Sequence, residues 1–197
     1  MTQIALLLVG LLSHLSIDAA MADAPFKGAG NFYGGLLHPL FVPAHVLAVV
    51  STGLLIGRQK SRLRWLAPAS YVVGLAVGFA AMMSAYAPQI AAEVLLAAAA
   101  ASGGLVALAR PLPEILACAL ALTTGLALAF DSPPSVISVR DANVILMGTF
   151  CGAIVLLFAV AKVTSTLRRE WQRIATRIFG SWIAASAVLV LALQLAR

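Results

Sequence analysis

The chain has 197 residues, of which 62% are hydrophobic and only 10% charged, and its mean hydropathy is +1.01. A water-soluble domain of this length needs far more polar surface to cover itself, so that class is excluded. The net charge of +6 does not mark a nucleic-acid binder either, because the basic residues fall in short loops between apolar runs. Those runs lack the period-two alternation of an outer-membrane barrel. The expected fold is all-α, a polytopic transmembrane helix bundle of six or seven spans.

The first expected span covers 3–20. It is followed by "AAMADA", whose small residues Ala22–Ala24 have the A-x-A form of a signal-peptidase site. Residues 1–24 are therefore read as a first transmembrane helix or a cleavable signal peptide. The absence of lysine and arginine from "MTQ" favours the retained helix. Residues 25–197 form a single transmembrane helical domain.

The second expected span, 35–57, opens with "GGLLHPLFVPAH". Pro39 reads as a first-turn proline, where its missing N–H costs little. Pro43 comes four residues later and can kink a helix that has already begun. His45 lies seven residues after His38, on nearly the same face and roughly 10 Å deeper. One ion touches both only if a kink or loop shortens that gap. Imidazole is a ligand for nickel, cobalt, zinc and copper, and an ionisable side chain in a span is a functional candidate. The plainer reading is a histidine hydrogen-bonded to a neighbouring helix.

Further spans are expected at 65–86, 89–109, 113–130, 142–162 and 175–196. Glu93 and Asp131 fall near the ends of two of them, on the same side as His38. Gly53–Gly57, Gly74–Gly78 and Gly148–Gly152 each form G-x-x-x-G, which lets backbones approach within one bundle or, alternatively, between copies. The stretch 163–178, "VTSTLRREWQRIATRI", reads as a juxtamembrane amphipathic segment, either a positive-inside anchor or a site for anionic lipid. With the N-terminus inside, the cytoplasmic loops hold ten of the thirteen basic residues and the other side five of the seven acids. That split places 21–34, 131–141 and the C-terminus outside.

Cys118 and Cys151 form no C-x-x-C pair. With Met82 and Met83 they would make a soft copper set, but the two cysteines differ in depth by about 9 Å. No G-x-S-x-G elbow, P-loop or H-E-x-x-H helix occurs, so an enzyme is not expected.

"GNFYGGLLHPLFVPAHVLAVVSTGLLIG" resembles the signature helix of the HupE/UreJ family of small nickel and cobalt permeases, with its motif F-x-x-G-x-x-H-P-x-x-G-x-D-H. Phe32, Gly35, His38, Pro39 and His45 match it. "IAAEVLLAAAAASGGLVAL" resembles the family's glutamate-led helix through Glu93, and "ATRIFGSWIAASAVLVLAL" its closing helix. Val42 and Ala44 stand where the motif has glycine and aspartate. "GLALAFDS" stands where the family has a second histidine cluster, and no histidine follows His45.

The resemblance implies uptake of a transition metal, Ni2+ or Co2+, by a secondary or channel-like route across a bacterial inner membrane. His38, His45, Glu93 and Asp131 are the candidate metal residues. No catalytic or cofactor-binding residue is expected, and the only metal is the transported ion. The lipid bilayer is the expected surrounding, with a homo-oligomer or larger membrane complex as further partners and no nucleic acid. The alternative is a non-catalytic accessory subunit that kept the fold and lost the metal site.

Overall fold

The computed structural model describes residues 30–59, 65–84, 88–109, 112–134 and 138–196. The expected first span, with its His14 and the 1–24 boundary, lies outside these residues. So do Lys60, Arg62, Arg64 and Arg110. Among the described residues seven helices follow in order: α1 Gly30–Phe41, α2 Pro43–Gly57, α3 Leu66–Met83, α4 Ala91–Leu108, α5 Glu114–Phe130, α6 Val139–Thr166 and α7 Glu170–Leu195. The described residues contain no strand. In a bilayer each helix satisfies its backbone within its own segment, which is why apolar runs take this form.

Four of these helices, α3, α4, α6 and α7, are long and apolar enough to cross a membrane. The α1–α2 pair makes a fifth, broken span, and α5 is a shorter apolar helix of 17 residues. The fold is a polytopic helical bundle. At 28 residues α6 is about 42 Å long, more than the apolar core needs, so its ends carry Arg140 and Asp141 at one side and Lys162 at the other.

Two expectations need correction. The span 35–57 is not one helix: α1 and α2 meet at a bend of 72°. The first-turn proline is Pro43, while Pro39 lies inside α1, near its end. Proline disfavours the helical conformation in the residue before it, and Val42 accordingly is extended, with ψ of 112°. The stretch 163–178 is likewise not one segment. Its first part ends α6, Leu167 and Arg169 are extended, and α7 begins at Glu170. There the Arg169 N–H donates to Gln172 Oε1 at 3.0 Å, capping the new helix.

All three G-x-x-x-G pairs work inside the chain. A Cβ at Gly74 or Gly78 would run into α5 at Leu122 or Ala129, and one at Gly53 or Gly57 into α6. Gly148 and Gly152 receive the backbone of α1 at Phe32 and Leu36. Small residues thus bring α3 against α5, and α6 against both halves of the broken span. The fully buried Ala48, Val49, Leu75, Leu95, Leu128 and Leu157 belong to the main core. The pivot is α2, which packs on α1, α4, α5, α6 and α7. α7 lies at the periphery, with Trp182, Leu189 and Leu193 each about 60% exposed, as expected of a face turned to lipid.

Candidate functional site

The break between α1 and α2 decides the histidine geometry. On a straight helix the two rings would sit about 10 Å apart. The bend brings the His38 and His45 ring centres to 5.1 Å, with the planes at 69°. An ion held about 2.1 Å from one nitrogen of each ring, at a tetrahedral or square angle, requires centres about 4.5–5.2 Å apart. The proline step therefore turns a two-turn spacing into one compatible with a shared ion.

His45 is fully buried, and its Nε2 lies 3.0 Å from Asp131 Oδ2, at the end of α5. A carboxylate only accepts, so Nε2 carries the proton and donates it. In the neutral form of the ring the lone pair is then on Nδ1. That atom is buried and has no hydrogen-bond partner among the described residues. A histidine that donates one ring N–H to a carboxylate and presents the other nitrogen is the arrangement that orients metal-binding histidines. The Asp131 side chain is 24% exposed, so the pair sits at the edge of the core.

Glu93 is placed at the same end of the bundle. Asp131 brings the end of α5 to the start of α2, and Arg58, just past the end of α2, reaches Val106 near the end of α4, so α2 and α4 start at the same end of the bundle. Glu93, in the first turn of α4, thus shares the level of His45. Its Oε2 is buried without a hydrogen-bond partner among the described residues. The four predicted residues do not close into one shell: among the described residues no three of His, Cys, Asp and Glu come together around an ion. The structure joins His45 to Asp131 and sets His38 beside His45, with Glu93 separate from that group. Asn31 is exposed. Cys118 and Cys151 are free thiols and belong to no such group.

At the other end two of the charges have structural partners. The Arg58 guanidinium donates to the Val106 carbonyl, and Arg177 Nε donates to the Ala107 carbonyl at 3.0 Å. Burial first, then repulsion from Arg173 and Arg177, lowers the pKa of Arg58 from its usual value. An apolar cleft of about 390 Å³ opens nearby, walled by Val160, Thr164, Trp171 and Phe179. It contains none of the four candidates.

Sequence reading missed a set of buried hydroxyls. The Thr52 and Thr124 hydroxyl oxygens lie 3.2 Å apart between α2 and α5. A signal was present: Thr52 follows His45 by seven residues, and Thr124 precedes Asp131 by seven.

The HupE / UreJ protein family model matches residues 9–190, nearly the whole chain. The chain belongs to the HupE/UreJ family. Comparison with curated proteins and with solved structures gave no match. In this HupE/UreJ protein the carboxylate on His45 comes from Asp131, eighty-six residues away, while Ala44 packs against the hydrophobic core.

Proposed function

We propose that this chain carries a divalent transition-metal ion, Ni2+ or Co2+, into the cell across a bacterial inner membrane, and that it is not an enzyme. The observation that carries the reading is the His45–Asp131 pair beside His38, with a buried His45 nitrogen that has no hydrogen-bond partner among the described residues. Imidazole nitrogen suits these ions, and a nearby carboxylate offsets their charge. His38 and His45 supply nitrogen, Asp131 orients His45, and Glu93 adds a carboxylate at the same level.

The histidine end faces outward in this reading, which places the C-terminus outside. The distribution of basic residues supports that orientation. Inward passage of a dication is then favoured by about 4.6 kcal/mol per 100 mV of membrane potential. A secondary or channel-like route follows, since the sequence carries no nucleotide-binding motif.

The test is uptake of Ni2+ and of Co2+ by cells that express the wild type, His38→Ala, or no copy of the protein. Uptake above background that is lost in His38→Ala is the expected result. Equal uptake with and without the protein would overturn the proposal.

A further inference from the structure

Two turns inward from the histidines, the core contains a second polar layer. Ser51, Thr52, Tyr71, Ser102 and Thr124 are all fully buried there, supplied by α2, α3, α4 and α5. Their levels follow from contacts. Thr52 meets Thr124 directly. The backbone of Tyr71 lies against Gly125, the neighbour of Thr124. Arg58 reaches Val106; Thr52 precedes the first by six residues and Ser102 the second by four, so on parallel helices they differ in level by about 3 Å.

The layer is polar beyond its own needs. Thr124 donates to the Leu120 carbonyl at 2.8 Å, so its oxygen accepts the Thr52 proton. Ser51 donates to the Ala48 carbonyl at 3.1 Å. The Tyr71 and Ser102 hydroxyls, however, have no hydrogen-bond partner among the described residues. Burying an unpaired hydroxyl is costly, and helix packing by itself would be served by alanine and phenylalanine.

We propose that this hydroxyl layer is a second, uncharged oxygen site for the transported dication, about 10 Å further in than the histidines. Neutral oxygens replace part of the ion's water shell there without holding it as tightly as imidazole and carboxylate do. Between the two sites the seam of α2 and α5 is apolar, with Val49 and Leu128 fully buried. The path is thus two polar stations with a dry step between them.

The inference rests on the transport reading, and Ser102→Ala and Tyr71→Phe separate the two. Ni2+ uptake is measured in cells alongside wild type and His45→Ala, and melting is followed in detergent. Each hydroxyl deletion should lower the maximal uptake rate about tenfold, the worth of one lost polar contact, and leave the half-saturating concentration unchanged. Melting temperature should hold or rise, since neither hydroxyl has a partner to lose among the described residues. If His45→Ala abolishes uptake and the hydroxyl deletions leave it at the wild-type rate, the second site is overturned and the first stands. A fall in uptake matched by a fall in melting temperature makes the layer structural and also overturns it. No uptake by wild type overturns both readings.

Discussion

The two ends of the bundle use charge in opposite ways. At the basic end, Arg58 and Arg177 donate to the Val106 and Ala107 carbonyls in the last turn of α4, where Val106 also accepts the Ala109 N–H. At the other end, His45 Nδ1 and Glu93 Oε2 are buried with no partner among the described residues. Among the described residues the basic end has more charge and fewer buried atoms without a partner. A charge count therefore points to one end, and the buried atoms without a partner among the described residues point to the other. In a membrane such atoms are expensive, so their survival is informative.

The largest expected effect that would sharpen this contrast comes from His45→Ala. It removes a proposed ligand and breaks the contact with Asp131, and metal-dependent uptake should fall to the level of cells without the protein. Normal uptake in that variant would remove the functional meaning of the histidine end. Next is Asp131→Asn. The amide keeps the shape and loses the charge that orients His45, and metal affinity should weaken about 10- to 100-fold, read as a rise in half-saturating Ni2+. An unchanged value would mean that the 3.0 Å contact is only helix glue.

A backbone change tests the bend instead of the ligands. In Pro43→Ala, Val42 is free to take the helical conformation, and α1 and α2 should merge towards a straight helix. The rings would separate from 5.1 Å towards the two-turn spacing, with about a tenfold loss of uptake. Distances between spin labels on α1 and α2 would report the straightening. Retained uptake in a straightened helix would show that the bend does not serve the site. The smallest effect belongs to the basic end. Arg177→Gln should leave uptake within about twofold of wild type and cost about 1 kcal/mol of stability, because its bond to Ala107 is exposed. A collapse of uptake there would break the contrast.

Much of the fold was legible in local patterns. The runs at 65–86, 89–109 and 113–130 became α3, α4 and α5 with small shifts at their ends. The glycine pairs announced close packing, and all three serve it within the chain. The bend was half legible: Pro43 indicated a kink, but its size and the placement of Pro39 inside α1 were not foreseen. The division of 163–178 was missed because its charges read as one amphipathic face, whereas the extended residues around Leu167 and the cap on Arg169 start a new helix.

The sequence by itself determined the membrane setting, the helices and the uneven distribution of charge. These depend on runs and periods within a few turns, and a helix in lipid closes its hydrogen bonds within its own segment. Only the tertiary structure decided that Asp131 reaches His45 from eighty-six residues away, that His38 swings in beside it, and that some buried polar atoms have no partner among the described residues. Which side chains meet, and which are left over, depends on how backbones approach across the bundle, and no window along a single helix contains that distance.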